Sequence, residues 1–293
     1  MSSKILVTSA AGNVGRAVVR QLQEMGIGVR AAVRSPEKAV ALKGPDTEIV
    51  PFNFDHPELV KAAVDGVSAL CMITPPHFRQ VEWATDTIDR ALEAGIPRIV
   101  RLSVRVADLT PSTRMTRWHR TVERYLRATD CEWTIVRPTP FMQNFMGLAP
   151  HNQEGYFFPL SEDARACHMD IRDAALVLAK VLTESDHVGK TYTITGGASL
   201  PFHAMCNILS NKVGRSFPCN YVSDKKAREV MLSVGMPDWL AELVLELFAI
   251  IRTGAVAEPL DGFEQLTGRK PIPLERFAED HKMALPQFIA AAA

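Results

Sequence analysis

Apolar residues gather in short dense runs along the first half of the chain, and stretches where they recur every three or four positions follow those runs. KILVT at 4–8, VRAAVR at 29–34, residues 48–52, 69–73 and 98–103, and WTIVR at 133–137 read as buried strands. Val14, Ala17, Val18, Leu22 and Met25 keep helical spacing, and Gly26 and Gly28 close that helix. Ser35 and Pro36 suit the N-cap and first position of a second helix, with Glu37 and Lys38 inside it. Residues 81–94 form another, ending at Gly95, and Met115, Trp118, His119, Val122 and Leu126 stripe one running from Ser112 to about Thr129. Alternation of this kind builds a parallel, doubly wound α/β sheet.

After Pro138 the rhythm loosens. Residues 138–165 read as a long loop with a short hairpin around Gly155, 171–183 as a helix and TYTIT at 191–195 as a strand. Beyond Gly196 the pattern is mostly helical, including 238–252 and 274–283. The expected division is a sheet domain over 1–150, taking in about 166–196, and a smaller, mostly helical lobe from 151–165 and 197–293.

Charge changes this picture little. Lys+Arg and Asp+Glu both total 33, which gives a polyanion such as nucleic acid no foothold. No signal peptide opens the chain, and the most apolar late stretch is too short to span a bilayer and holds Glu242 and Glu246. Five cysteines, with no Cys-x-x-Cys pair, read as free thiols of a reducing compartment, so the expectation is a cytoplasmic protein without a membrane partner. Asp170 with Asp173, and His168 beside Cys167, lack the partners a metal needs, so no metal site is expected; Asp173 reads as an early-turn residue favourable to a helix dipole.

The stretch VTSAAGNVGR at 7–16 carries the first chemistry. Gly12 and Gly15 stand at the spacing of the later two glycines of a dinucleotide loop, on the strand–turn–helix junction where backbone must approach a pyrophosphate. Ser9 replaces the first glycine, at a strain cost if the turn needs positive φ. From Gly28 to Pro36 there is no Asp or Glu to hold a ribose 2′-hydroxyl, and the strand ends in Arg34, with Lys38 a turn later. A guanidinium there pairs with a 2′-phosphate, which favours NADP(H) over NAD(H); a solvated surface arginine is the alternative.

VTSAAGNVGR, AVRSPEKA at 32–39, ITPPH at 73–77, HRTVERYL at 119–126, WTIVRPTPFMQNF at 133–145, MDIRDAA at 169–175 and GRKPIPLERFAEDH at 268–281 together resemble the NmrA-like atypical short-chain dehydrogenases over nearly the whole chain. That group includes NADPH-dependent quinone and azo-dye reductases, triphenylmethane dye reductase and ergot-alkaloid reductases, alongside redox-sensing regulators. The resemblance implies a Rossmann domain with a helical substrate lobe. It places Thr8, Ala10, Gly12, Asn13, Val14 and Gly15 along the pyrophosphate and Arg34 with Lys38 at the 2′-phosphate. Asn53 and Phe54 fall near the adenine, although an aspartate is common at the former. Ile73, Thr74, Pro75 and Pro76 fall near the nicotinamide ribose, and Pro138, Thr139 and Phe141 beside the nicotinamide. Met142, Asn144, Trp118 and His77 lie toward substrate.

Ordinary short-chain dehydrogenases use a Tyr-x-x-x-Lys pair for proton transfer. Tyr221 to Lys225 spells it, but far past the last core strand, where Ser223 reads as a helix cap. His119 and Glu123, four apart, match the family's His-x-x-x-Glu; His119 is either a site residue or a core histidine. Ser103, at the family's serine position, either bonds a substrate oxygen or caps its loop. Phe141 to Met146 suits a flat apolar substrate or plain core packing, and Tyr156, Phe157, Phe158 and the helix around Trp239 suit pocket walls or a subunit contact. The function implied is a reductase passing hydride from NADPH to a small, electron-poor, apolar or aromatic acceptor, for which no tyrosine donor is needed. The alternative is a sensor that binds NADP(H) and regulates a partner without turnover. A carbonyl reductase or epimerase of the ordinary mechanism is weakened by the missing pair, and a homodimer is compatible with either leading reading.

Overall fold

A computed structural model describes residues 4–109 and 113–290. The chain divides into two units, the first Met1–Ala107, Thr116–Arg137 and Ile171–Thr193, the second Asp108–Met115, Pro138–Asp170 and Ile194–Ala293.

The first unit is built on a sheet whose strands follow the dense apolar runs: β1 Ile5–Val7, β2 Val29–Val33, β3 Thr47–Pro51, β4 Ala69–Met72, β5 Arg98–Leu102 and β6 Glu132–Pro138. Helices α1 Asn13–Glu24, α2 Pro57–Val64, α3 Gln80–Glu93 and α4 Arg114–Arg127 connect them. Further along come β7 His151–Asn152, β8 Gly155–Phe158, β9 Arg165–Ala166, α5 Ile171–Thr183 and β10 Lys190–Ile194. The strand order is β10-β6-β5-β4-β1-β2-β3, and the pairs from β3 across to β6 are parallel. Leu6, Leu70, Met72, Ile99 and Ile135 of the sheet meet Val60, Val64, Ala84, Ile88, Val122 and Leu126, so α2, α3 and α4 cover one face. α1 and α5 pack on each other as the second layer. The order changes direction between β1 and β4, and in such sheets the crevice beyond those strand ends is where ligands bind.

Several sequence expectations need correction. The helix at Ser35–Pro36 is two separate 3-10 turns, Pro36–Lys38 and Val40–Leu42, and the Ser35 side chain caps neither. β3 is not buried: it is the sheet's outer strand, with every residue half-buried or exposed. α2 was not foreseen, because eight residues give too short a window for helical period. The helix expected over 274–283 stops at Asp280, and Ser112, the expected start of α4, lies outside the described residues. Gly26 and Gly95 do end helices with positive φ, of 70° and 73°.

In the second unit β8 pairs antiparallel with β7, as the hairpin around Gly155, and parallel with β12 Cys219–Tyr221. β9 pairs with β11 Leu200–Pro201. The helices are α6 Phe202–Val213, α7 Asp224–Ser233, α8 Asp238–Arg252, α9 Gly262–Thr267, α10 Leu274–Asp280 and α11 Leu285–Ala290. Ser223 caps α7 by accepting from Lys226 N at 3.3 Å. Among the described residues no helix is long and apolar enough to cross a membrane.

Candidate functional site

The loop after β1 is laced to its neighbours at the place where the strand order reverses. Thr8 Oγ1 donates to Ile73 O and accepts from Ile73 N, both at 2.8 Å, and Ser9 Oγ donates to Ile73 O at 2.9 Å. Ala10 N reaches Ala32 O at 3.1 Å and Gly12 N reaches Ser9 O at 2.9 Å. To make this turn Ser9 takes φ of 51°, the left-handed region a glycine enters freely. Its fixed carbonyl then dictates Gly15: a Cβ there would press on Ser9 O and lie 2.8 Å from Ala10 Cα and 2.9 Å from Ser9 C. Gly12 is the N-cap of α1, which carries no side-chain cap and no acid in its first turn. The amides of Asn13, Val14 and Gly15 therefore have no intrahelical acceptor, and with the helix dipole they form a cradle for an anion.

Along the sheet edge, Arg34 and Lys38 are exposed at the end of β2 and make no ion pair among the described residues. Asn53 Oδ1 accepts from Asp55 N at 3.1 Å. Phe54 stacks on Trp83 (5.4 Å, 18°) and Trp83 on His77 (4.3 Å, 10°), so two of the expected ligand contacts flank one aromatic stack. Beyond β4, Ile73 is buried, Pro75 and Pro76 are exposed, and Thr74 Oγ1 is buried with no hydrogen-bond partner.

β5 and α4 bring a chain of polar groups into the core of this unit. Gln80 Nε2 lies 3.3 Å from His119 Nε2, His119 Nδ1 lies 3.5 Å from Ser103 Oγ, and Ser103 Oγ donates to Glu123 Oε1 at 2.5 Å. Arg137 Nε donates to Glu123 Oε1 at 2.8 Å, and Arg127 pairs with Glu123 Oε2 at 3.0 Å. One proton arrangement satisfies the chain: Gln80 donates to Nε2, the imidazole donates from Nδ1 to Ser103, and Ser103 donates to the carboxylate. Burial, with the positive charge of Arg101 beside it, holds His119 well below the usual histidine range, so the ring is neutral. Arg101 is itself fully buried; burial lowers it to about 10, opposed by Glu123, and it stays charged at neutral pH. Its NH1 donates to Met72 O at 3.3 Å, while Nε and NH2 have no partner. Ser103 and His119 are thus joined in one network, with the serine proton committed to Glu123. Trp118, next to His119, is half-buried.

In the second unit the segment following Pro138 is fixed by backbone bonds. Thr139 N donates to Ile194 O at 3.1 Å, Phe141 bridges Met169, and Met142 N donates to Met169 O at 2.8 Å. Thr139 Oγ1 is buried without a partner. Beside this segment opens a hollow of about 320 Å3, part of it in contact with solvent, walled by Asn144, Phe145, Phe158, His168, Phe202 and Phe248, among others. Asn144 lines it; Met142 is buried and does not. His168 is buried, its ring 5.4 Å from Phe145 and 5.7 Å from Phe202, with Nδ1 unpartnered. Burial lowers it to about 4, so it presents a neutral imidazole to an otherwise apolar hollow.

Residues 1–278 match the model of the NmrA-like family. The chain belongs to that family. An NAD(P)H azoreductase of Xenophilus azovorans is 30% identical, over 96% of this chain and 98% of its own. A (4-alkanoyl-5-oxo-2,5-dihydrofuran-3-yl)methyl phosphate reductase of Streptomyces griseus is also 30% identical, over 96% and 98%. The solved structure of an NADPH-dependent quinone oxidoreductase from Escherichia coli, complexed with NADPH, superposes with a TM-score of 0.82 at 22% identity, covering 94% of this chain and 99% of that one.

Within this NmrA-like chain, sequence reasoning missed three groups. His168 was set aside because it lacked metal spacing; nothing in one dimension shows Phe145 and Phe202 closing around it. Phe202 and Phe248 come from helices whose faces only packing defines. Arg101, beside Leu102 at the end of an apolar strand, gave no sign that it is fully buried. The Tyr221–Lys225 spelling falls on β12 and α7, in the second unit, where burial pushes the Tyr221 phenol up to about 12, opposite to what a proton-transferring tyrosine needs.

Proposed function

We propose that this chain is an NADPH-dependent reductase that passes hydride to a flat, electron-poor acceptor of the quinone or azo-dye kind. The observation that carries the reading is the β1–α1 cradle, with three free amides, an uncapped helix terminus and a Gly15 that cannot bear a Cβ. Its residues fit a dinucleotide pyrophosphate. Arg34 and Lys38, exposed and without ion pairs, suit the 2′-phosphate, and the absence of an acid from Gly28 to Pro36 removes the usual contact to an unphosphorylated ribose. The unpartnered Thr74 hydroxyl suits a polar group of the same ligand.

NADPH, when bound, supplies the hydride. The protein's part is to hold the nucleotide, orient the acceptor and exclude water. The neutral His119 and the committed Ser103 supply no ready proton, which suits acceptors whose reduced products take protons from water. The two relatives and the solved neighbour are each named for reducing an azo compound, a conjugated furanone or a quinone, all electron-poor π systems. The aromatic hollow of the second unit, with one neutral imidazole nitrogen unpaired, suits a ring bearing a single oxygen or nitrogen function.

The test is the loss of NADPH absorbance with the purified protein against a panel of quinones, azo and triphenylmethane dyes and cyclic imines, with NADH in parallel. Turnover favouring NADPH supports the reductase. Tight NADPH binding with no turnover on any acceptor transfers the chain to the sensor class, and binding of neither nucleotide overturns the reading of the cradle.

A further inference from the structure

The nucleotide chemistry leaves one cluster unused: two thiols that meet in the second unit. Cys206 lies on α6 and is 1% exposed, whereas Cys219 lies on β12 and is half-exposed. α6 packs against β12, and the two thiols share a hydrogen bond. Tyr221, two residues along β12 and hence on the same face, also hydrogen-bonds Cys219. The Tyr221 oxygen in turn accepts from His203 N at 3.2 Å.

These contacts make the pair asymmetric. Hydrogen bonds from Cys206 and then Tyr221 hold the Cys219 thiol below the usual cysteine range, while the bond to Cys219 and burial push Cys206 up. Cys219 is also the member that solvent reaches. A stabilised, accessible thiolate beside a protonated, shielded thiol is the arrangement of a nucleophile and its resolving partner. The remaining cysteines differ: Cys71 and Cys167 are buried, and burial raises the half-buried Cys131.

We propose that Cys206 and Cys219 are an oxidative modification site that closes to a reversible disulfide when a hydroperoxide reaches Cys219. The Cys219 thiolate attacks one peroxide oxygen and the O–O bond breaks; the leaving hydroxide takes a proton to become water, and Cys219 becomes a sulfenic acid. Cys206 sulfur then attacks Cys219 sulfur. The S–O bond breaks, and hydroxide leaves with the Cys206 proton as a second water. Two thiols lose two electrons and two protons, and the peroxide becomes two waters. The bond joins elements that wall the hollow: Phe202 is one turn before Cys206 on α6, and β12 pairs with β8, which carries Phe158.

The experiment uses the full chain, reduced and freed of reductant, then treated with one equivalent of hydrogen peroxide, blocked with N-ethylmaleimide and mapped by non-reducing peptide mass spectrometry. The expected result is a Cys206–Cys219 linked peptide in monomeric protein, with two of the five thiols lost and both restored by dithiothreitol. In Cys206→Ser, dimedone captures a sulfenic acid at Cys219. In reduced wild type, iodoacetamide labels Cys219 about tenfold faster than Cys131 at neutral pH. The proposal is overturned if peroxide leaves Cys219 reduced while Cys131 reacts, or if Cys219 links to any cysteine other than Cys206.

Discussion

Replacing Gly15 by alanine tests the cradle at its tightest point. The new Cβ would meet three backbone atoms, Ser9 O most closely and then Ala10 Cα at 2.8 Å and Ser9 C at 2.9 Å. Carbon atoms in contact prefer about 3.5–4.0 Å, so α1 and the loop must part by roughly 0.7 Å or more. No flexible side chain can absorb this, because every obstructing atom is backbone and the loop is tied to Ile73 and Ala32. Overpacking costs about 1–3 kcal/mol, and alanine returns at most about 1 kcal/mol as the better helix former. The expected net loss of stability is thus about 1–2 kcal/mol. The nucleotide suffers more, since the displaced atoms are those that position the amides of Asn13 and Val14. Urea denaturation and NADPH fluorescence titration read the two effects separately. Gly12→Ala is the control: its Cβ would meet only Ser9 O, at 3.2 Å. If Gly15→Ala binds NADPH as tightly as wild type with an unchanged denaturation midpoint, the loop is not the phosphate cradle.

Ser9→Gly relieves about 1–2 kcal/mol of left-handed strain but loses the Oγ bond to Ile73 O, about 1 kcal/mol, and a comparable unfolded-chain entropy. Thermal unfolding should therefore shift by less than about 1 kcal/mol, and NADPH binding should survive. Arg34→Ala should lower the NADPH-over-NADH ratio of kcat/KM by about tenfold or more, from the loss of charge-assisted bonds worth about 1.5–3 kcal/mol; an unchanged ratio means the residue is solvated surface. Glu123→Gln strips Arg137 and Arg127 of their buried carboxylate and should cost about 3–5 kcal/mol in chemical denaturation. His168, at about 4 in the fold against an unfolded value near 6.5, takes up its proton more readily when unfolded. Its stability contribution is complete above about pH 6.5 and falls by about 3 kcal/mol as pH drops toward 4; His168→Phe should flatten that part of the stability–pH curve.

The first unit was legible because parallel strands buried on both faces leave near-continuous apolar runs that glycine and proline punctuate. α5 and α8 fall on the expected residues, Ile171–Thr183 and Asp238–Arg252, since each is long enough for its period to show. Where length fails, so does the reading, as with the eight residues of α2 and the short strands β9, β11 and β12. Burial was misjudged where position in the sheet, and not the local pattern, decides it. β3 has the apolar look of an inner strand yet lies at the edge, while Arg101 is fully enclosed. In the loop, the sequence marked Ser9 as the point of possible strain, and its φ of 51° is the conformation in question. The hollow around His168 was not legible at all, because its walls come from four separate stretches of chain.

The polar chain through Ser103, His119 and Glu123 bears directly on what chemistry this unit can perform. A general acid must have a proton to give near neutral pH. His119 has none to spare in that sense: its ring is neutral, flanked by Arg101, and protonating it would place a second positive charge beside a guanidinium already lacking partners for two of its nitrogens. Ser103 has spent its proton on a carboxylate that Arg127 and Arg137 keep in place. Removing Glu123 would free the serine, but only by exposing three buried arginines to one another. The network therefore resists being recruited for proton transfer, and the burden falls on the other partners in the reaction. A hydride donor held by backbone amides, and an acceptor electron-poor enough to be reduced before it is protonated, are what such a fold can serve.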